Sequence, residues 1–241
     1  MTLYKCFELF FDKEIVQQIV RETNRYSQQY KNTGGSLFSF RSLVRSWTPV
    51  TESEIYTVLG LFLLMGIVQK PTARSYFSKR RVITPEFADL ISRGRYELIC
   101  KFLHFIDNES LPTYQGPPIL FKIYPVICYL NIKFQTLCLP YQNIAIDESL
   151  TLLKRHLSVR QYLPPKASKF GIKTFTPCES RTGYLWRFLV YTGKNMVLHS
   201  SLITLDTPKT AAVVLERLEP LFDCEHVLWI DNFFNSPELA R

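Results

Sequence analysis

Two aspartates carry the chemistry this sequence suggests. Asp147 lies within IAIDESLTLL, and Asp231 closes EHVLWID; both stretches read as strands in which apolar residues would be the cheaper occupants. An ionised carboxylate removed from water costs several kcal/mol unless a cation, metal or hydrogen-bond network compensates. Two carboxylates held a few ångströms apart would repel until a divalent cation sat between them. Mg²⁺ prefers carboxylate oxygen, and a pair of such ions about 4 Å apart stabilises both the attacking and the leaving oxygen in phosphodiester chemistry. The competing reading makes each Asp a turn residue or the partner of a nearby Lys or Arg. Glu148 points to the opposite face of its strand from Asp147, so a salt bridge or hydrogen bond is expected of it.

No acid occurs from Ser149 to Cys178, whereas Lys154, Arg155, Arg160, Lys166, Lys169 and Lys173 do, with Tyr162, Phe170 and Phe175 among them. Such a strip suits phosphate contacts leading away from a site that cuts phosphodiesters. It also suits a sheet edge guarded by positive charge.

The elements that must position the aspartates follow from pattern. Residues 1–108 read as helical: Ile15, Ile19, Val20 and Tyr26 recur at helical spacing, Thr51 and Glu54 form a capping box ahead of an apolar run, and Thr84-Pro85-Glu86 starts a further helix. DNESLPTYQGPP, at 107–118, is the best linker candidate. One more helix, FKIYPVICYLNIKFQTLCL, precedes Pro140. Strands then dominate: IAIDESLTLL, FGIKTFTPCES and YLWRFLVYTG, the last two joined at Ser180-Arg-Thr-Gly183. A helix opened by Thr207-Pro208 leads to EHVLWID, and Asn235-Ser236-Pro237-Glu238 reads as another helix start. Three meandering strands, a crossover helix and a fourth strand beside the first is the order of the opening half of a ribonuclease-H-like fold. That order makes the ends of strands one and four neighbours. The expected fold class is therefore α+β: a helical domain at 1–140 followed by an incomplete ribonuclease-H-like α/β domain at 141–241.

Composition sets the bounds. A chain of 241 residues with 46% hydrophobic and 21% charged residues is globular. Its net charge of +8 favours polyanionic partners. The six cysteines form no C-x-x-C pair and read as reduced, buried thiols of an intracellular protein. The longest apolar run, Ile55 to Val68, is too short and interrupted for a bilayer, so no membrane partner is expected.

Seven motifs then appear in order: ETNRYS (22–27), RSWTPVTESEI (45–55) with LGLFLLMGIVQKP, KFLHFIDN (101–108), IDESL (146–150), RQYLPPKASKFGIK (160–173), ESRTGY with VYTGK (179–194), and IDNFFNSPELA (230–240). Together they resemble the piggyBac family of DNA transposases and the proteins derived from them. The resemblance implies a ribonuclease-H-like (DDE transposase) catalytic domain, cut-and-paste transposition at TTAA targets, two Mg²⁺ ions, DNA as partner, a homodimer and a nuclear location. It matches Asp147 and Asp231 to the first two catalytic, metal-binding aspartates and the helical part to a dimerisation and DNA-binding domain. Two departures stand out. Leu153-Lys154-Arg155-His156 replaces the family's Phe, basic residue, Gly and Arg, and the sequence stops at Arg241, before the family's third catalytic Asp and cysteine-rich zinc module. The expectation is a transposase-derived chain without independent catalysis that exposes apolar sheet surface. The alternative is a host-adopted, non-catalytic DNA-binding or dimerising protein.

Overall fold

The structure, a computed structural model, describes residues 2–34, 43–78, 87–152, 160–162, 170–194, 196–204, 206–236 and 239. The expected helix start at 84–86, the Pro237-Glu238 step, the loop at 153–156, Lys154, Arg155, Lys166 and Lys169 lie outside them. The chain forms two compact units, Met1–Tyr114 and Gln115–Arg241, which divide inside the proline-rich segment 107–118.

The first unit is helical: α1 (Leu3–Phe10), α2 (Lys13–Gly34), α3 (Glu52–Ile67), the short α4 (Ala73–Tyr76) and α5 (Phe87–Leu90), and α6 (Arg93–Phe102). Asp12 separates α1 from α2, because its Oδ1 accepts the amides of Glu14 and Ile15 and so restarts the helix. Ile15, Val16 and Ile19 of α2, Ile55 and Val58 of α3, and Ile99 and Phe102 of α6 are buried at 0–1% exposure, as helical spacing predicts.

The capping box at α3 is real. Thr51 Oγ1 accepts the Glu54 amide at 3.3 Å, and Glu54 Oε2 accepts the Thr51 amide at 3.0 Å. The same carboxylate receives Arg95 of α6 through Nε (2.7 Å) and Nη2 (2.8 Å). Arg95 also donates to the Thr48 carbonyl at 2.8 Å and lies over the Trp47 ring at 4.8 Å. One guanidinium thus fixes α6 against the entry to α3. The Arg95 bond is the main reason Glu54 titrates below its ordinary 4.5. A carboxyl whose folded pKa is depressed stabilises the fold above its unfolded pKa and loses that contribution as pH falls through the folded value. Urea unfolding of the first unit between pH 7 and about pH 3 is therefore expected to show an acid loss of stability, shallower in Arg95→Met. Equal acid dependence in both proteins would refute this role of the pair.

The second unit begins with α7 (Tyr124–Leu137), whose Pro125 sits in its first turn. The sequence reading ends its helical domain near residue 140, yet α7 bonds within the sheet unit. Asn131 donates to the Phe188 carbonyl (3.1 Å) and accepts the Phe188 amide (2.8 Å), and Tyr184 donates its hydroxyl to the Phe134 carbonyl. The strands are β1 (Asn143–Leu152), β2 (Arg160–Tyr162), β3 (Phe170–Glu179), β4 (Leu189–Val190) and β5 (Val227–Trp229), with α8 (Lys209–Leu218) between β4 and β5.

Their order is β2-β3-β1-β5, with β4 also on β3; β1 and β3 run antiparallel, β1 and β5 parallel. This is the meander, crossover and return that the sequence implies, and the fold is α+β. Two details differ. β2 is an additional three-residue strand, and β4 keeps only Leu189–Val190 of the expected YLWRFLVYTG. Pro177 on β3 has no amide to donate, and the partner stretch there makes an isolated Cys178–Leu185 bridge, with the Trp186 amide donating to the Pro177 carbonyl and the Glu179 amide to the Tyr184 carbonyl.

Close packing also explains Gly171. A Cβ there would lie 2.4 Å from the Thr151 carbonyl oxygen on β1.

Ile144, Ile146, Phe175, Trp186, Val214, Leu218 and Phe234 make the core between the sheet and α8. The cysteines are less buried than composition suggests: all six are free thiols, five half-buried and Cys224 exposed in the turn leading to β5. Among the described residues, no helix is long and apolar enough to cross a membrane.

Candidate metal and nucleic-acid site

The strands that lead to the two aspartates, β1 and β5, are parallel neighbours. Asn143, Ile144 and Ala145 stand opposite Val227, Leu228 and Trp229 in a parallel ladder. The paired residues end at Ala145 and Trp229, two positions before Asp147 and Asp231 respectively. Faces agree as well. Ile144 and Ile146 are buried, while Leu228 and Ile230 pack on the same core. By alternation, Ala145, Asp147 and Trp229 project from the other face, and Asp231 follows two residues after the end of β5. Both aspartates are exposed, as are Trp229 (61% exposed) and Val227 (43%). Neighbouring strands lie about 4.8 Å apart.

Local backbone bonds hold each carboxylate. Asp147 Oδ1 accepts the Glu148 amide at 2.6 Å, and the Thr176 hydroxyl of β3 donates to the Asp147 carbonyl at 3.1 Å. Asp231 Oδ1 accepts the Phe233 amide at 3.1 Å, and its carbonyl accepts the Phe234 amide at 3.2 Å, a compact turn after β5. Phe234 pins that turn: it is fully buried and meets Phe175 edge-on at a 5.8 Å centroid distance. Carboxylates open to solvent, one on β1 and one in the turn after β5, suit a hard divalent cation that keeps water in its remaining positions. Among the described residues, no group of three or more His, Cys, Asp or Glu assembles to hold a metal.

The basic strip divides. Arg160 on β2 stacks its guanidinium over Phe170 at 4.5 Å, next to the Tyr162–Phe170 ring pair, at the margin of the sheet. Lys173 corrects the sequence reading. It is 9% exposed and its ammonium is bonded to Glu148, so it is not a solvent-facing phosphate contact. Its place on β3 shares the parity of buried Phe175 and Pro177, and that parity was the signal available in the sequence. Glu148, as its face implied, is a salt-bridge partner.

Glu179 is a structural residue that motif reading overlooks. Its buried carboxylate accepts the Arg181 and Thr182 amides, both at 2.8 Å, and the Thr182 hydroxyl at 2.5 Å. The hydroxyl bond is the main reason its pKa is lowered. With Gly183 at φ +71, these bonds shape the turn after β3.

Comparison with known proteins now bears on this geometry. A protein-family model described as Transposase IS4, of the DDE transposase type, matches residues 2–241. The chain belongs to the piggyBac-type DDE transposase family. It is 31% identical over 185 residues to human PiggyBac transposable element-derived protein 2, an alignment covering 75% of this chain and 28% of that protein. It is 27% identical over 195 residues to human PiggyBac transposable element-derived protein 3, covering 80% and 30%. The chain thus spans under a third of the length of these curated relatives. The cryo-EM structure of a piggyBac transposase synaptic complex with hairpin DNA superposes on 98% of the chain and 47% of its own, with TM-score 0.81 and 23% identity, which establishes the fold.

Proposed function

We propose that this piggyBac-type chain provides the first two metal-binding carboxylates, Asp147 and Asp231, of a site for DNA phosphodiester cleavage and strand transfer, acting on DNA in the nucleus. The single observation that carries the reading is the parallel β1–β5 ladder, whose register, continued two residues past its last pair, would set the two carboxylates level. When bound, Mg²⁺ would polarise the phosphate and lower the pKa of the attacking water or hydroxyl. The chain's own contribution is to hold two anionic oxygens on a stiff sheet and to keep that face open to a substrate as large as a duplex. Arg160 at the sheet margin, with Lys154, Arg155, Lys166 and Lys169 in the same stretch of sequence, would supply phosphate contacts. The net charge of +8 favours that partner. TTAA selectivity and a homodimer belong to this reading as family expectations.

Trp229 provides a direct test. It is two residues from Asp231 on the same face, about 7 Å along the strand. Tb³⁺, a hard oxygen-seeking ion, should show tryptophan-sensitised luminescence when added to the chain, lost in Trp229→Phe and competed by Mg²⁺ or Mn²⁺. Absence of any sensitised signal refutes the metal reading. The alternative, a non-catalytic DNA-binding protein, is favoured if salt-sensitive DNA binding persists without a metal signal.

A further inference from the structure

Lys173 touches both motifs. Its Nζ is bonded to Glu148 on β1, the residue next to Asp147, and lies 4.7 Å from the ring centroid of Phe233, two residues after Asp231. Phe175 and Tyr191 complete the surroundings at 4.8 and 5.7 Å. A strongly hydrated ammonium is buried only when its charge is answered, and here one carboxylate and three ring faces answer it. Phe233 is otherwise half exposed, and β5 pairs with β1 only through Trp229. The segment carrying Asp231 therefore continues past the end of the ladder, where side-chain contacts rather than strand pairing must hold it.

We propose that Lys173 is a positioning residue for the aspartate pair: bonded to Glu148 and covered by Phe233, it clasps the turn after Asp231 to the strand that carries Asp147. This rests on the metal reading above for its purpose, and on the contacts alone for its existence. Lys173 and Glu148 project to the core face, away from Asp147, so the effect travels through backbone. The Phe233 ring fixes its own amide, and that amide is the donor to Asp231 Oδ1.

Lys173→Met should leave the strands folded, accelerate hydrogen exchange of the Phe233 and Phe234 amides about tenfold over other core amides of the sheet, and weaken Tb³⁺ binding about tenfold. Lys173→Arg should restore most of both. Should Lys173→Met not fold, Lys173→Met with Glu148→Gln removes the uncompensated buried charge and takes the same measurements. Exchange that rises uniformly over the sheet, or not at all at 233–234, overturns the proposal. A wild-type chain with no Tb³⁺ signal defeats the metal reading, while the exchange data still decide whether the clasp exists.

Discussion

Phe234→Ala is expected to lower the stability of the sheet unit by about 3–5 kcal/mol, the usual range for deleting a buried phenylalanine. The residue has no exposed surface, and it fills the space beside Phe175 under the end of β5. Part of the loss is transfer of the ring, and part is the cavity left where Phe175, Val214 and Ile144 cannot close in. The site should suffer beyond the fold, because the Phe234 amide is bonded to the Asp231 carbonyl and the ring anchors that turn. Denaturant unfolding followed by Trp186, which lies in the same core, measures the loss. Phe234→Leu should recover much of it by refilling volume. A loss under about 1 kcal/mol would mean that the turn after Asp231 is not built on this ring.

How much of this was readable beforehand depends on what each residue contacts. The parallel pairing of β1 and β5 follows from element order: a return beside the first strand leaves few registers once Ile144, Ile146, Leu228 and Ile230 must all pack into one core. The capping box at Thr51 is local chemistry and needs no tertiary knowledge. Lys173 is the opposite case. In a run of basic residues its charge suggests a strip facing phosphate, whereas the parity of β3 assigns it to the core and Glu148 waits there. Its ring contacts come from three separate segments, and single-sequence periodicity carries no signal for those. The shortness of β4 could be read only after Pro177 was placed within β3, and β2 is too brief to show a period. α7 carries a helical pattern that tells its length but not its neighbours; Asn131 and Phe134 choose the sheet unit through main-chain groups that no pattern displays.

Asp147→Asn separates function from folding most sharply. In a metal-binding pair, neutralising one carboxylate removes a ligand charge, and the affinity for Tb³⁺ or Mn²⁺ is expected to fall by about 100-fold or more. If the two carboxylates share a cation, then without metal the same substitution relieves their mutual repulsion, so stability should hold or rise by up to about 1 kcal/mol. Asn keeps an oxygen able to accept the Glu148 amide, which leaves the local turn intact. Asp231→Asn should behave alike for the same reason, since its amide oxygen can still receive the Phe233 amide. If the aspartates were ordinary turn residues or the partners of surface cations, the neutral variants would lose stability and leave metal affinity unchanged. Added Mn²⁺ distinguishes the two cases further: a ligand that binds only the folded state raises its stability by mass action, so the unfolding midpoint of the wild type should climb with Mn²⁺ while those of the two variants stay flat. The sign of the metal-free effect is the decisive quantity, because a structural carboxylate is missed when it is neutralised, whereas a ligand poised for a cation is tolerated by the fold only at the expense of its own repulsion.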